Sequence, residues 1–318
     1  MPRHEATGTL AGTKRVELAR HGEGGSRAPR WDTDGRDWPN RDSSRFVEAD
    51  GLRWHVQRMG SGPLMLLLHG TGASTHSWRD LAPELARHYT VIAPDLPGHG
   101  FTSAASERQY SLPGMARSVA ALLAELRVSP VLIVGHSAGA AIALRMVLDG
   151  CPGPEAVVSL NGALLPFRGL PGQLFSPAAR VLARLDFVPR VVARRAADPN
   201  AVLRLLRDTG SKIDERGAEL YRRLIRSPAH VAATIRMMAG WDLGSMIARY
   251  PDVDVPVLLL VGESDGTVSP GEAERVARLL PAARVRRLPG LGHLAHEERP
   301  REVAGVIVEF AESVGVGG

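Results

Sequence analysis

The sequence predicts an α/β fold: a mostly parallel, twisted eight-stranded sheet with an antiparallel N-terminal edge and a helical insert. Three observations carry this expectation. Apolar runs of strand length alternate with alanine- and leucine-rich stretches of helical period, the pattern of a parallel sheet covered on both faces. The stretch "RFVEADGLRWHVQRMG" places an Asp50-Gly51 turn between two strand-like segments, a hairpin signature that adds antiparallel strands at one edge. The alternation then stops between residues 163 and 250, where helix starts recur and no strand pattern is found.

Taken in order, the hairpin is followed by "PLMLLLHG", a continuous apolar run typical of a strand buried on both faces. "SWRDLAPELARH" reads as a helix, "TVIAPD" as a strand and "LPGMARSVAALLAELRV" as a helix. "PVLIVGHS" is a strand that runs into the helix "AGAAIALRMVL", and "AVVSLNG" is the next strand. Beyond the interruption come the strand "VPVLLLVGESD", the helix "GEAERVARLL", the strand "ARVRRLPG" and a last helix from about Pro300.

Inside the interruption, Ser176-Pro177, Asp198-Pro199 and Ser227-Pro228 each pair a capping residue with proline, which loses no needed donor at a helix start. Leu220, Tyr221, Leu224 and Ile225 form an apolar stripe, with Arg222, Arg223 and Arg226 off it. A helical insert between two sheet strands is expected over their carboxyl ends, where such sheets keep their ligand crevice. The expected organisation is a disordered extension over 1–30, a core in two parts over 31–162 and 251–318, and a helical cap over 163–250.

Composition narrows the class. No run approaches the roughly 20 apolar residues of a membrane span. The single cysteine, Cys151, excludes an internal disulfide and fits a reducing compartment. The polar, Gly-rich start before Trp31 lacks a signal-peptide core, so a cytoplasmic protein is expected. The net charge of +5 is almost wholly arginine, with Lys14 and Lys212 the two lysines. It comes with no interleaved aromatics and no recognition-helix pattern, so nucleic acid is not an expected partner. The histidines are too scattered for a metal site, and no motif calls for a cofactor.

"GHSAG" places Ser137 between Gly135 and Gly139, with a strand before it and a helix after. That context suits a nucleophile held in a strained turn, with the positive helix end directed at the attacked group. A serine hydroxyl needs a base, and His293, in the Gly-rich loop "LPGLGHLAHEERP", is the expected one. His296 is the competitor, set aside because it opens an acidic and, by expectation, solvated helix start. The base in turn needs an acid. Asp265, in the turn after "LLLVGESD", is preferred to Glu263 because it lies beyond the strand end. The amides of Ala138 and of Thr71, in "HGTG", are the expected oxyanion donors, and the Thr71 hydroxyl is a possible third. Serine at the nucleophile position, rather than aspartate, argues against haloalkane dehalogenase and epoxide hydrolase chemistry.

With "HGTG", "PDLPGHG", "GHSAG", "GESD" and "GLGH" in this order, the chain resembles the α/β-hydrolase superfamily from about Phe46 to Phe310. Two stretches, "WDTDGRDWPNRDSSRFVEADGLRWHVQRMGSGP" and "LLLHGTGASTHSWRDLAPELARHYTVIAPDLPGHGFTS", look like the BchO-type magnesium-chelatase accessory proteins of bacteriochlorophyll biosynthesis. That resemblance implies a tetrapyrrole ligand, a porphyrin or magnesium porphyrin, and contact with magnesium-chelatase subunits.

Residues 163–250 hold fifteen Arg or Lys against seven Asp or Glu, so arginines near a pocket could hold propionates. His136, Phe167, Phe175, Met237, Met238, Trp241 and Met246 are the candidate apolar or polar pocket contacts. A basic insert could equally face anionic lipid, a peripheral membrane contact. Three activities fit: ester hydrolysis through an acyl-enzyme, non-catalytic porphyrin binding for the chelatase, and carbon–carbon bond hydrolysis with the same three side chains.

Overall fold

A computed structural model of the chain describes residues 28–166, 187–195 and 198–316. Eight strands form one sheet: β1 (Ser44–Ala49), β2 (Leu52–Met59), β3 (Leu64–Leu68), β4 (Thr90–Pro94), β5 (Leu132–His136), β6 (Ala156–Leu160), β7 (Val257–Gly262) and β8 (Ala283–Leu288). They lie in the order β1-β2-β4-β3-β5-β6-β7-β8. β1 and β4 each run antiparallel to β2, and the remaining neighbours are parallel. The hairpin turns where expected, with φ of 51° at Asp50 and 72° at Gly51. Two successive positive values define a primed turn, whose twist matches that of the strands it joins.

β3 shows why the central strands are apolar throughout. Leu64, Leu66 and Leu68 point into a core shared with the Leu112–Leu126 and Ala138–Leu148 helices. Met65 and Leu67 point to the other face, among side chains of the Leu81–Leu85 and Pro300–Ser313 helices. Strand periodicity sends alternate residues to opposite cores, and each such burial contributes about 1.5–3 kcal/mol. With both faces covered, the loops at the carboxyl ends of the strands are where polar side chains can gather.

The described part of 163–250 contains the helices Phe187–Arg195, Pro199–Asp208, Glu215–Ile225, Pro228–Gly240 and Gly244–Ile247, and no strand. Asp198 accepts a hydrogen bond from the Asn200 amide and Ser227 from the His230 amide, the expected caps. Leu220, Tyr221 and Leu224 are buried as the stripe requires. The Ser176-Pro177 helix start, Phe167 and Phe175 lie outside the described residues, as does the expected extension up to residue 27. From Trp31 the chain is a short helix, Trp31–Asp34, whose Trp31 ring packs edge-on against Phe46 and Phe101. The helix expected over "SWRDLAPELARH" is instead a 3-10 turn, Thr75–Trp78, and a short helix, Leu81–Leu85. The break at Arg79 turns its side chain inward onto the buried Glu297 carboxylate. Among the described residues no helix is long and apolar enough to cross a membrane.

Candidate active site

β5 delivers Ser137 to a sharp corner. Its φ of 51° and ψ of −115° lie outside the regions open to ordinary L-residues, so the surroundings must hold it there. The Ser137 amide donates to the Leu160 carbonyl at 3.0 Å, and the Ser137 carbonyl accepts from the amides of Ala140 and Ala163. The flanking glycines are obligatory. A Cβ on Gly139 would lie 2.0 Å from the Leu68 carbonyl oxygen, and one on Gly135 2.4 Å from the Ala140 nitrogen. Gly70 abuts the same corner, since a Cβ there would stand 3.0 Å from that of Ser137. The loop Gly70-Thr71-Gly72 and the corner are therefore packed against each other, beside the amino end of the Ala138–Leu148 helix.

Asp265 follows β7 and is surrounded by donors. Its Oδ1 accepts from the amides of Thr267 and Val268 at 2.7 and 2.9 Å. Its Oδ2 accepts from Asn161 Nδ2 and from His293 Nδ1, both at 2.8 Å. A carboxylate can only accept, so the hydrogen of His293 resides on Nδ1 and the lone pair on Nε2. His293 is 6% exposed, and among the described residues its Nε2 makes no hydrogen bond. Its ring lies 4.8 Å from that of His136, the residue before Ser137, and its carbonyl accepts from His136 Nε2 at 3.0 Å. The Ser137 hydroxyl and His293 Nε2 share no hydrogen bond here. Such contacts in hydrolytic sites frequently close only when substrate is bound.

The insert ties these loops together. The Thr209 carbonyl accepts from both the Gly266 and the His293 amides, at 3.0 and 3.1 Å, so one atom bridges the loops that carry Asp265 and His293. Gly210 follows at φ 78°, where a Cβ would meet the Ser264 carbonyl oxygen at 1.8 Å. Ser211 Oγ accepts from the Leu294 amide, and Glu298 accepts from the amides of Gly292 and Lys212. On the other side, His230 Nε2 donates to the Gly72 carbonyl at 3.0 Å while its Nδ1 accepts from the Gly100 amide. Asn161, Thr209 and His230 were not singled out from the sequence. The "NG" closing "AVVSLNG" was a signal for the first, since Asn161 adopts φ 45° at the strand end.

The other expected contacts divide. Met237 and Trp241 are buried in one cluster with Ala138 and Leu164. The Thr71 hydroxyl donates to Met237 Sδ at 3.8 Å. Met238 is half-buried, and Met246 lies in the core. His136 is buried and spends Nε2 on the His293 backbone. Glu263 is exposed, as expected of the rejected acid.

The helix start that carries His296 is not solvated, contrary to expectation. His296 is fully buried, its Nε2 2.9 Å from Ser77 Oγ. Beside it, the Glu297 carboxylate takes hydrogen bonds from Ser77, Tyr221 and Arg79. Burial pushes the Glu297 carboxyl up, opposed by Arg79.

Burial also holds His69 down to about 4, and His99, His230 and His296 down to about 3, with His76 and His136 well below the ordinary range. These rings are neutral hydrogen-bonding parts around the site. Among the described residues no group of three or more His, Cys, Asp or Glu side chains is placed to hold a metal ion.

Comparison with known proteins agrees with this layout. Residues 63–300 match the family model for the alpha/beta hydrolase fold. The magnesium-chelatase 30 kDa subunit of Rhodobacter capsulatus is 41% identical over 277 residues, 86% of this chain and 96% of that one. The 2-(acetamidomethylene)succinate hydrolase of Mesorhizobium japonicum is 28% identical over 280 residues, 85% and 95% of the two chains. Among solved structures, an alpha/beta hydrolase fold protein from Burkholderia ambifaria superposes with a TM-score of 0.71 at 26% identity, covering 84% of this chain and 98% of that one. The corner at Ser137, the Asp265–His293 pair and the sheet that carries them thus have one setting: the chain belongs to the α/β-hydrolase fold family.

Proposed function

We propose that the chain is a serine hydrolase that cleaves an ester through an acyl-enzyme. Ser137 attacks the carbonyl carbon while His293 Nε2 takes its proton. Asp265 holds the Nδ1–H tautomer and stabilises the cation that forms. The amides of Thr71 and Ala138 receive the developing oxyanion. His293 then returns the proton to the leaving alcohol, and water repeats the sequence to release the acid. The observation that carries this reading is the Asp265 carboxylate, held by three donors besides His293 and fixing that ring with its Nε2 lone pair uncommitted.

The substrate class follows from the relative named as a magnesium-chelatase subunit. A porphyrin or magnesium porphyrin bearing an ester would meet the site under a cap formed by residues 163–250, with Met237, Met238 and Trp241 as apolar contacts and chelatase subunits as partners in the cytoplasm. A fluorophosphonate probe should label the wild type and not Ser137→Ala; a wild type that resists labelling overturns the hydrolase reading.

The same likeness to a chelatase subunit favours a second reading, a porphyrin-binding accessory role without turnover. Complementation separates the two. If Ser137→Ala restores pigment synthesis as fully as the wild type, binding is the essential role. If it folds and binds pigment yet fails to complement, chemistry is.

A further inference from the structure

Large exposed apolar side chains are concentrated on this molecule. Four of the five among the described residues, Phe187, Val191, Val192 and Leu205, lie on the consecutive helices Phe187–Arg195 and Pro199–Asp208. On the first helix Pro189 and Ala193 are buried, so the opposite face is outward. Phe187 and Val191 stand one turn apart on that outward face and are exposed by 58% and 44%. Arg190, Arg194 and Arg195 flank them, all exposed, with Arg204 and Arg207 exposed on the second helix. Arg204 is paired with Asp198. Arg190, Arg194, Arg195 and Arg207 have no ion pair among the described residues.

We propose that the outward face of the Phe187–Arg195 helix docks on an anionic lipid surface, with Phe187 and Val191 entering the headgroup boundary and the arginines meeting lipid phosphates. An apolar strip between rows of cations is the composition that lies flat on such a surface. A protein groove of the same shape would need acidic residues dense enough to neutralise at least three arginines crowded on three helical turns. A phosphate-bearing membrane supplies that density everywhere, which is why lipid is the occupant favoured.

The location also suits the proposed reaction. The Phe187–Arg195 helix packs on the Pro228–Gly240 helix. That second helix sets Met237 against Thr71 and His230 against Gly72. A lipophilic ligand leaving the bilayer would thus be one helix layer from Ser137. The inference rests on the hydrolase reading only for that ligand; docking itself needs no turnover.

The test is co-sedimentation of the full chain with vesicles of phosphatidylcholine alone and of phosphatidylcholine mixed equally with phosphatidylglycerol. Binding is expected to the mixed vesicles alone and to weaken as salt is raised. Phe187→Ser should lower the partition coefficient about tenfold, and Arg194→Gln about fivefold. Leu279→Ser, at the exposed apolar residue outside the face, should bind as the wild type does. Ser137→Ala should also bind fully, so a failed hydrolase reading leaves this result standing. Equal sedimentation of Phe187→Ser and wild type overturns the proposal. So does a Phe187→Ser chain that loses thermal stability instead of vesicle binding, which would mean the face is covered within the protein. Loss of capture by purified chelatase subunits, with no vesicle binding at all, would assign the face to a protein and overturn it equally.

Discussion

The described residues contain two histidine–aspartate pairs with the same separation. His55 Nδ1 lies 2.8 Å from Asp95 Oδ2, and His293 Nδ1 lies 2.8 Å from Asp265 Oδ2. Their surroundings differ. His55 sits among Trp31, Phe46 and Phe101, and its Nε2 is engaged by Ser44 Oγ at 3.0 Å. Asp95 also accepts from the amides of Thr75 and Phe101, clamping β2, the β4 loop and the Thr75–Trp78 turn. Every polar atom of that pair is committed inside the fold. In the second pair the carboxylate is equally saturated, but the distal nitrogen of His293 makes no hydrogen bond among the described residues, and its ring lies 4.8 Å from that of His136, the neighbour of the strained Ser137. A fixed Nδ1 bond would serve a brace and the proposed base alike; the uncommitted Nε2 is what separates the two pairs.

Crossed substitutions break the comparison most severely. Asp265→Asn preserves shape but no longer selects the Nδ1–H tautomer, so turnover of a p-nitrophenyl ester should fall about 10⁴-fold with the melting temperature nearly unchanged. Asp95→Asn should do the reverse. It sets an amide N–H among the donors of His55, Thr75 and Phe101 in a fully buried site and should cost about 1–3 kcal/mol of stability in urea titrations, while the folded fraction keeps its turnover. If Asp95→Asn abolishes turnover in fully folded protein, or Asp265→Asn merely destabilises, the two roles are misassigned.

Acid sharpens the same contrast. His69 is held down to about 4, and His99, His230 and His296 to about 3, by burial above all. In the unfolded chain each ring protonates near pH 6.5, so below that pH the unfolded state binds more protons and stability falls with pH. The contribution is fully present above about pH 6.5 and declines through the window down to about pH 4, by about 1.4 kcal/mol per pH unit for each ring. Asp95 behaves oppositely in window though not in direction. Burial would raise its carboxyl, but His55, by charge and hydrogen bond, and His69 outweigh it and hold the group far below the carboxylate range. Its contribution therefore survives until the pH drops below about 3.9. Urea midpoints should fall steeply between about pH 6.5 and 4 in the wild type and in Asp95→Asn alike. A midpoint flat across that window would mean the buried rings are not neutral in the fold.

Which parts of this were legible follows from how local each signal is. The strands announced themselves because a chain buried on both faces must be apolar residue by residue, as in "LMLLL". The corner at Ser137 was legible because two of the steric constraints on it fall on glycines two residues away. Burial of His296 and Glu297 was not, because Glu297 is paired with Arg79 and hydrogen-bonded by Tyr221, 218 and 76 residues distant. The bridge at Thr209 was hidden for a related reason. It acts through a backbone carbonyl, which every residue owns, and Gly210 alone marks the spot.

Asn161 offers the finest discrimination, since it touches the second pair without belonging to it. Its Nδ2 donates to the same Asp265 oxygen that receives His293, while both Oδ1 bonds come from backbone amides that no side-chain change removes. Asn161→Ala therefore deletes one of four donors and leaves the carboxylate buried and still bonded to His293. A hydrogen bond to a charged group contributes about 1.5–3 kcal/mol, so turnover should drop roughly ten- to hundredfold, well short of the Asp265→Asn loss. Asn161→Asp would set a second carboxylate against the first and should lower turnover further, because like charges at that distance compete for one proton. A brace of the Asp95 kind would respond differently, losing stability in step with each donor removed. If Asn161→Ala shifts the urea midpoint and spares turnover, Asp265 is held for folding, and its resemblance to Asp95 is then deeper than the free nitrogen on His293 suggests.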